Sequence, residues 1–321
     1  MTSATTPPSG DPSTPETKTA LVGVDWGTSS LRAYRLGRDG RLLERVRSEQ
    51  GILQVEDDAF AETLDAIVGA WREPGLPVIL SGMIGSRQGW LEVPYLDIPT
   101  KLDAIAGALA RHPDDPTIHI VPGLAQDPEG QAPDVMRGEE TQIIGALGDE
   151  TGSCLLIMPG THSKWVLVDQ GKITWFATFM TGEMFSLLTN HSILGRLMVE
   201  TDDAHDAAAF EQGLDGAKRL PGGLLQKLFS ARTLPLFERL PADSIATYLS
   251  GLLIGSEIQE GLSNLERSDN KPSITIIGAS NLAERYLDAI AHQGINAKRA
   301  GDDAAAYGHY QLARNAHLIA T

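Results

Sequence analysis

Along the first half of the chain the apolar positions switch between two periods. Leu21-Val22-Gly23-Val24 is a continuous apolar run, the mark of a strand covered on both faces. Leu31 to Leu36 reads as a second strand after a tight turn, and Arg38-Asp39-Gly40 signals a hairpin into a third, Arg41 to Arg47. From Ala59 to Trp71 the period lengthens, placing Phe60, Leu64, Ile67, Val68 and Trp71 on one side of a helix. A buried strand, Pro77 to Leu80, then enters the glycine-rich segment Ser81 to Gly89. A helix at Leu102 to Ala110, a short strand at Ile118 to Val121 and a helix at Glu139 to Leu147 follow. Strands alternating with helices predict an α/β fold.

The second half restarts the pattern. Leu21 to Val46 reads strand, Gly27-Thr28, strand, Asp39-Gly40 turn, strand, and Leu155 to Phe179 reads strand, Gly160-Thr161, strand, Gln170-Gly171 turn, strand. Both copies put Gly-Thr at the first turn, where backbone N–H groups and a hydroxyl can face an anion. This predicts a duplicated domain with one phosphate loop per half, although two similar hairpins also arise by chance.

Length and composition narrow the class. At roughly 150 residues per domain, 321 residues predict two domains, placed at 20–148 and 149–321. Residues Met1 to about Thr19 are nearly all Thr, Ser, Pro, Gly, Asp and Glu, a composition that predicts a disordered tail without a targeting signal. A net charge of −16 makes nucleic acid and anionic membranes poor partners. No apolar run approaches the roughly 18 residues of a membrane span, so the expected location is the cytoplasm. The single Cys154 lies in the apolar run Cys154 to Met158 and is expected in the core. The eight histidines show no metal spacing and are expected to be scattered. Trp71, Trp90, Trp165 and Trp175 are expected as core, with no basic stripe to make them stacking platforms.

Asp25-Trp-Gly27-Thr28-Ser29-Ser30 closes the first strand. A carboxylate there can hold Mg²⁺ through water, and Gly27 lets a phosphate approach for Thr28 and Ser29 to bind. The same residues also suit an ordinary hairpin in which Asp25 accepts turn amides. There is no Gly-Lys-Ser/Thr phosphate loop and no Gly-x-Gly-x-x-Gly opening a helix.

Taken together, the Asp-x-Gly-Thr strand end, the second Gly-Thr hairpin and the late turn Ile274-Thr-Ile-Ile-Gly278-Ala-Ser-Asn281-Leu resemble the actin/hexokinase/chaperone ATPase superfamily. Gly301-Asp-Asp-Ala-Ala-Ala-Tyr-Gly308 is similar to its closing helix beside the interdomain hinge. Longer stretches resemble one member family, the 2-dehydro-3-deoxygalactonokinases. They are Gly82-Met-Ile-Gly-Ser-Arg-Gln-Gly-Trp90, Asp134-Val-Met-Arg-Gly-Glu-Glu-Thr-Gln142, Pro159-Gly-Thr-His-Ser-Lys-Trp165 and Met180-Thr-Gly-Glu183. His191 to Leu194 and Tyr248 to Gly255 extend the likeness, which runs from Leu21 to the C-terminus.

The resemblance implies two related actin/ribonuclease-H-like domains around a cleft, and transfer of the ATP γ-phosphoryl group, with Mg²⁺, to the 6-hydroxyl of 2-dehydro-3-deoxy-D-galactonate in galactonate catabolism. Glu139 is then the candidate base, because Arg137-Gly138-Glu139-Glu140 resembles the Gly-Asp-Gln-Gln segment of related sugar kinases. Glu replaces Asp, a methylene longer. Glu139 also suits a helix first turn, and Asp25, Asp134 and Glu183 remain rival bases. Arg87 is the candidate for the substrate carboxylate beside Ser86, with Arg32 and Arg137 as rivals. Gly160, Thr161 and Lys164 would face phosphate, Gly278 and Asn281 the adenosine, and Glu183 the sugar. Alternation turns Ser163 away from His162 and Lys164. A kinase for another aldonate and a non-catalytic sensor on the same fold are the competing readings. The sequence leaves a homodimer open.

Overall fold

A computed structural model describes residues 18–148, 152–199, 206–265 and 272–319. The expected tail lies outside the described residues up to 17, and Thr19 already opens the first strand, one residue before the expected start. The first half holds β1 (Thr19–Trp26), β2 (Leu31–Gly37), β3 (Leu42–Ser48), α1 (Phe60–Val68), β4 (Val78–Ser81), β5 (Leu96–Asp97), β6 (Thr100–Lys101), α2 (Leu102–Gly107), β7 (Ala110–Arg111), β8 (Ile118–Ile120), β9 (Leu124–Gln126), β10 (Asp134–Met136) and α3 (Glu139–Leu147). The second holds β11 (Cys154–Met158), β12 (Ser163–Asp169), β13 (Lys172–Phe179), α4 (Thr181–His191), α5 (Ala207–Arg219), α6 (Leu224–Leu228), α7 (Ser230–Leu236), α8 (Ile245–Leu265), β14 (Ser273–Ile276), α9 (Ser280–His292), β15 (Ala297–Arg299) and α10 (Ala304–Asn315).

Two large sheets follow one plan. The first runs β3-β2-β1-β4-β8-β7, with β1, β2 and β3 antiparallel and β1, β4 and β8 parallel. The second runs β13-β12-β11-β14-β15 with the same senses, and β6 adds to its β13 edge. A three-strand meander followed by two parallel strands is the ribonuclease-H-like arrangement, here present twice. The duplication reaches the register: Asp25 pairs with Arg32 in the first hairpin, and Met158 with Lys164 in the second.

Burial explains why β1 and β11 read as continuous apolar runs. Val22 and Val24 pack with Phe60, Leu64 and Val68 of α1, while Leu21 faces the other way into a core with Leu156 of β11 and Ala306 of α10. Leu155 and Ile157 face a third core with Ile258 of α8 and Tyr286 of α9. Cys154 is a buried free thiol, as expected. Trp71 and Trp165 are buried, and Trp90 is half-buried against Phe60.

The core shared by both halves is crossed by α3 and α10, whose backbones meet without intervening side chains. A Cβ on Gly145 would lie 1.8 Å from the Ala304 carbonyl oxygen, and one on Gly308 1.9 Å from that of Thr141. Two helical expectations shorten. The helix predicted to reach Ala110 ends at Gly107, because the Ala110 backbone is taken into pairing with Ile120 of β8. The one predicted to reach Trp71 ends at Val68 and tightens into a 3₁₀ turn, Gly69–Trp71.

Candidate active site

The end of β1 carries Asp25 into a tight turn closed by the Gly27 N–H donating to the Ser30 carbonyl at 2.9 Å. The following chain braces this turn, with Ile52 N–H donating to Gly27 O at 3.0 Å and Leu53 N–H to Thr28 O at 3.2 Å. Thr28 and Ser29 stay exposed at its tip. Two glycines open the space in front of Asp25. Gly82 and Gly138 have φ of +91° and +109°, where an L side chain is strained, and Cβ atoms on them would stand 3.4 and 3.9 Å from Asp25 Oδ1.

Gly138 also starts α3 and so aims Glu139 at the same place. The Glu139 Oε2 accepts the Arg137 N–H at 3.1 Å, and the fully buried Glu140 accepts the Gly138 N–H at 2.7 Å. Glu139 thus lies in electrostatic range of both Asp25 and Glu140, and all three carboxyl groups resist ionisation. Burial pushes Asp25 up to about 6, with Arg32 opposing and Glu139 adding to the rise. Burial raises Glu139 as well, while Lys164, backbone N–H groups and His162 pull it back. Burial and the neighbouring Glu139 push Glu140 up to about 8. Asp25 belongs to the first half and Lys164 and His162 to the second, so Glu139 feels groups from both sides of the cleft.

The second Gly-Thr loop is braced by α4. A Cβ on Gly182 would lie 2.3 Å from the Gly160 carbonyl oxygen, and the Glu183 N–H donates to the Thr161 carbonyl at 2.9 Å. This close approach accounts for glycine in Met180-Thr-Gly-Glu183. The Glu183 carboxylate bonds His162 Nε2. The buried Lys164 ammonium donates to Val135 O at 2.7 Å and Thr178 Oγ1 at 2.6 Å, and Thr178 donates in turn to Asp134 at 2.7 Å. Lys164 and Asp134 therefore tie β12 to β10 across the halves. Ser163 points the other way, to Tyr286 at 3.0 Å.

Behind this loop lies a cavity of about 340 Å³ lined by Gly160, Thr161, Phe185, Leu253, Leu282 and Arg285, among others. A Cβ on Gly278 would stand 3.6 Å from Pro159 Cδ, and Asn281 is exposed on the first turn of α9. Tyr286 on the cavity wall donates to the buried Glu257 at 2.6 Å, which also accepts Trp165 Nε1 at 2.8 Å. Burial raises both Glu257 and Tyr286 above their usual ranges. Sequence reasoning missed this network, and its one signal was an acid, Glu257, amid the apolar stretch Leu252 to Ile258.

The glycine-rich segment after β4 carries Ser86 and Arg87, both expected at the sugar acid. Arg87 is 87% exposed and paired with Glu92 at 3.4 Å, because the Gly82–Gly89 loop turns it outward. Ser86 spends its hydroxyl on the Met83 carbonyl at 2.7 Å. The rival Arg137 is buried. It lies 4.4 Å over the Tyr95 ring and donates from Nη2 to Val93 O at 2.7 Å, while Nε and Nη1 have no partner. A Cβ on Gly85 would stand 2.8 Å from that Nη1, so glycine there makes room for the guanidinium.

The family model for 2-keto-3-deoxy-galactonokinase matches residues 25–312. The chain belongs to this family. Membership makes the chain an ATP-dependent kinase. The kinase is 40% identical over 288 residues to a probable 2-dehydro-3-deoxygalactonokinase of Rhizobium meliloti (strain 1021), covering 88% of this chain and 93% of the relative. It is 36% identical over 284 residues to the 2-dehydro-3-deoxygalactonokinase of Escherichia coli (strain K12), covering 88% and 94%. A Sinorhizobium meliloti protein crystallised as a candidate 2-dehydro-3-deoxygalactonokinase superposes with a TM-score of 0.85 at 39% identity, over 92% of this kinase and 98% of that chain. Among the described residues of the kinase, no helix is long and apolar enough to cross a membrane.

Proposed function

We propose that this kinase, working in the cytoplasm, transfers the γ-phosphoryl group of ATP to the 6-hydroxyl of 2-dehydro-3-deoxy-D-galactonate. The observation that carries the reading is the position of Glu139: beside Asp25 on one lobe and in the field of Lys164 and His162 on the other. Residues 20–148 form the sugar-side lobe and 149–321 the nucleotide-side lobe. ATP lies between the loops at Gly27–Ser29 and Gly160–Thr161, with its base toward Gly278 and Asn281 in the cavity that Phe185, Leu253 and Leu282 make apolar.

Phosphoryl transfer asks a protein mainly for positioning and charge. Glu139 takes the proton of the attacking hydroxyl as the oxygen–phosphorus bond forms. Its basicity is raised by burial, as a general base working near neutrality requires. Arg137 binds the substrate carboxylate through its unpaired Nε and Nη1, and Tyr95, 41% exposed, covers the entry. A hydrated Mg²⁺ suits Asp25: one carboxylate beside two glycines leaves room for its waters, and among the described residues no cage of three ligating side chains competes. Bound there, Mg²⁺ would neutralise phosphate charge.

The test is ADP release from ATP and Mg²⁺ across keto-deoxy sugar acids, aldonates and neutral sugars. 2-Dehydro-3-deoxy-D-galactonate should give the highest kcat/KM. A better aldonate would reassign the substrate, and no ADP release with any acid would overturn the reading.

A further inference from the structure

The second Gly-Thr hairpin places three side chains in succession, and their fates differ. Ser163 turns into the core toward Tyr286, and the Lys164 ammonium is committed to Val135 O and Thr178. His162 remains on the cleft side, half exposed, with Glu183 as its hydrogen-bond partner through Nε2. This pair is held from two fixed elements. The Glu183 backbone N–H is bonded to the Thr161 carbonyl, and Gly182 packs α4 so closely on Gly160 that no Cβ fits between them. Both side chains remain open to solvent, at 50% and 38% exposure. That is a built arrangement next to a proposed phosphate loop, and the role proposed above for Glu139 does not account for it.

We propose that His162 is a catalytic residue of the phosphoryl transfer, donating from Nδ1 to an oxygen of the migrating phosphoryl group. Glu183 is its positioning residue, accepting from Nε2–H and fixing the ring plane. The proposal rests on the kinase reading. His162 forms and breaks no covalent bond: the hydroxyl proton goes to Glu139, the phosphoryl group goes to the acceptor oxygen, and ADP leaves. Its part is to meet charge that spreads over the equatorial phosphoryl oxygens in the transition state. His162 projects from the loop that follows β11, the counterpart of the Asp25 loop after β1, which the reading above places at the phosphates. The groups facing it are Glu183 from α4, Glu139 from α3, and Lys164 with its Thr178–Asp134 chain from the sheets.

A donor that acts in the transition state lowers kcat by about 10²–10³ when removed. His162→Gln and His162→Asn should therefore lose about that factor in kcat while KM for ATP and for the sugar acid, and Tm, stay near wild type. Binding of ADP with aluminium fluoride and sugar acid, a mimic of the transferring phosphoryl, should weaken in parallel, whereas binding of ADP alone should not. Glu183→Gln keeps an acceptor for the ring and should lose less than Glu183→Ala. Active wild type with both His162 variants within threefold of its kcat would overturn the proposal. So would variants that change only KM for ATP. Wild type without kinase activity would instead overturn the reading beneath it.

Discussion

Glu139 and Glu140 are adjacent in sequence yet do different physical work. Glu139 reaches the cleft, and its amide should be a poor substitute: Glu139→Gln should lower kcat by about 10²–10⁴, the worth of a positioned base, with nucleotide affinity measured by calorimetry unchanged. Glu140 is sealed beneath the Gly138 turn. Its carboxyl keeps its proton up to about pH 8 in the folded protein but releases it near 4.5 when unfolded. The stability this confers is complete below pH 4.5 and is lost as pH rises through 8. Glu140→Gln lacks that titration and can still accept the Gly138 N–H. Its Tm relative to wild type should therefore climb between pH 5 and pH 9, and a constant difference would show that Glu140 ionises normally. The two arginines separate in the same way. Arg137→Ala should cost about 10–150-fold in kcat/KM for the sugar acid, since a charge-assisted bond contributes roughly 1.5–3 kcal/mol. Arg87→Ala, on an exposed residue, should cost less than threefold. A neutral substrate analogue should hardly notice either change.

At the scale of elements, much of the site was legible because it is made of turns. Gly27-Thr28 and Gly160-Thr161 announce two hairpin tips, and their strands appear where the apolar runs stop. Pairing across space was not legible. Alternation showed that Ser163 and Lys164 face opposite ways, but not that Lys164 meets Val135 and Thr178, or that Glu183 would find His162. The outward turn of Arg87 was not legible for a related reason: a glycine-rich loop at a strand end gathers ligands, yet which way its side chains point depends on how the loop packs. The contact of α3 with α10 was half legible, in the small residues Ala304 to Ala306 and Gly308. Gly308→Ala should destabilise by about 1–3 kcal/mol as overpacking does, because its Cβ would meet the Thr141 carbonyl at 1.9 Å. Gly107→Ala, with nothing within 4 Å of its Cβ, is the control and should leave thermal stability unchanged or slightly raised.

Across the whole molecule, duplication gives two similar hairpins whose residues have diverged. The first keeps a carboxylate, Asp25, opposite Arg32, while the second puts Met158 opposite Lys164 and adds His162 at the tip. In the proposed reading an acidic loop that would hold Mg²⁺ works with one carrying Lys164 and His162, Glu139 lies in the field of both, and the glycine contact of α3 with α10 joins the lobes. In that reading the pairing delivers phosphate to one hydroxyl of a sugar acid. Its most direct test is ³¹P–¹H correlation NMR on the product formed from ATP, Mg²⁺ and 2-dehydro-3-deoxy-D-galactonate. A phosphate monoester coupled to the two C6 protons is expected, with ADP released in equal amount. Inorganic phosphate without an ester, or an ester at any other carbon, would contradict it.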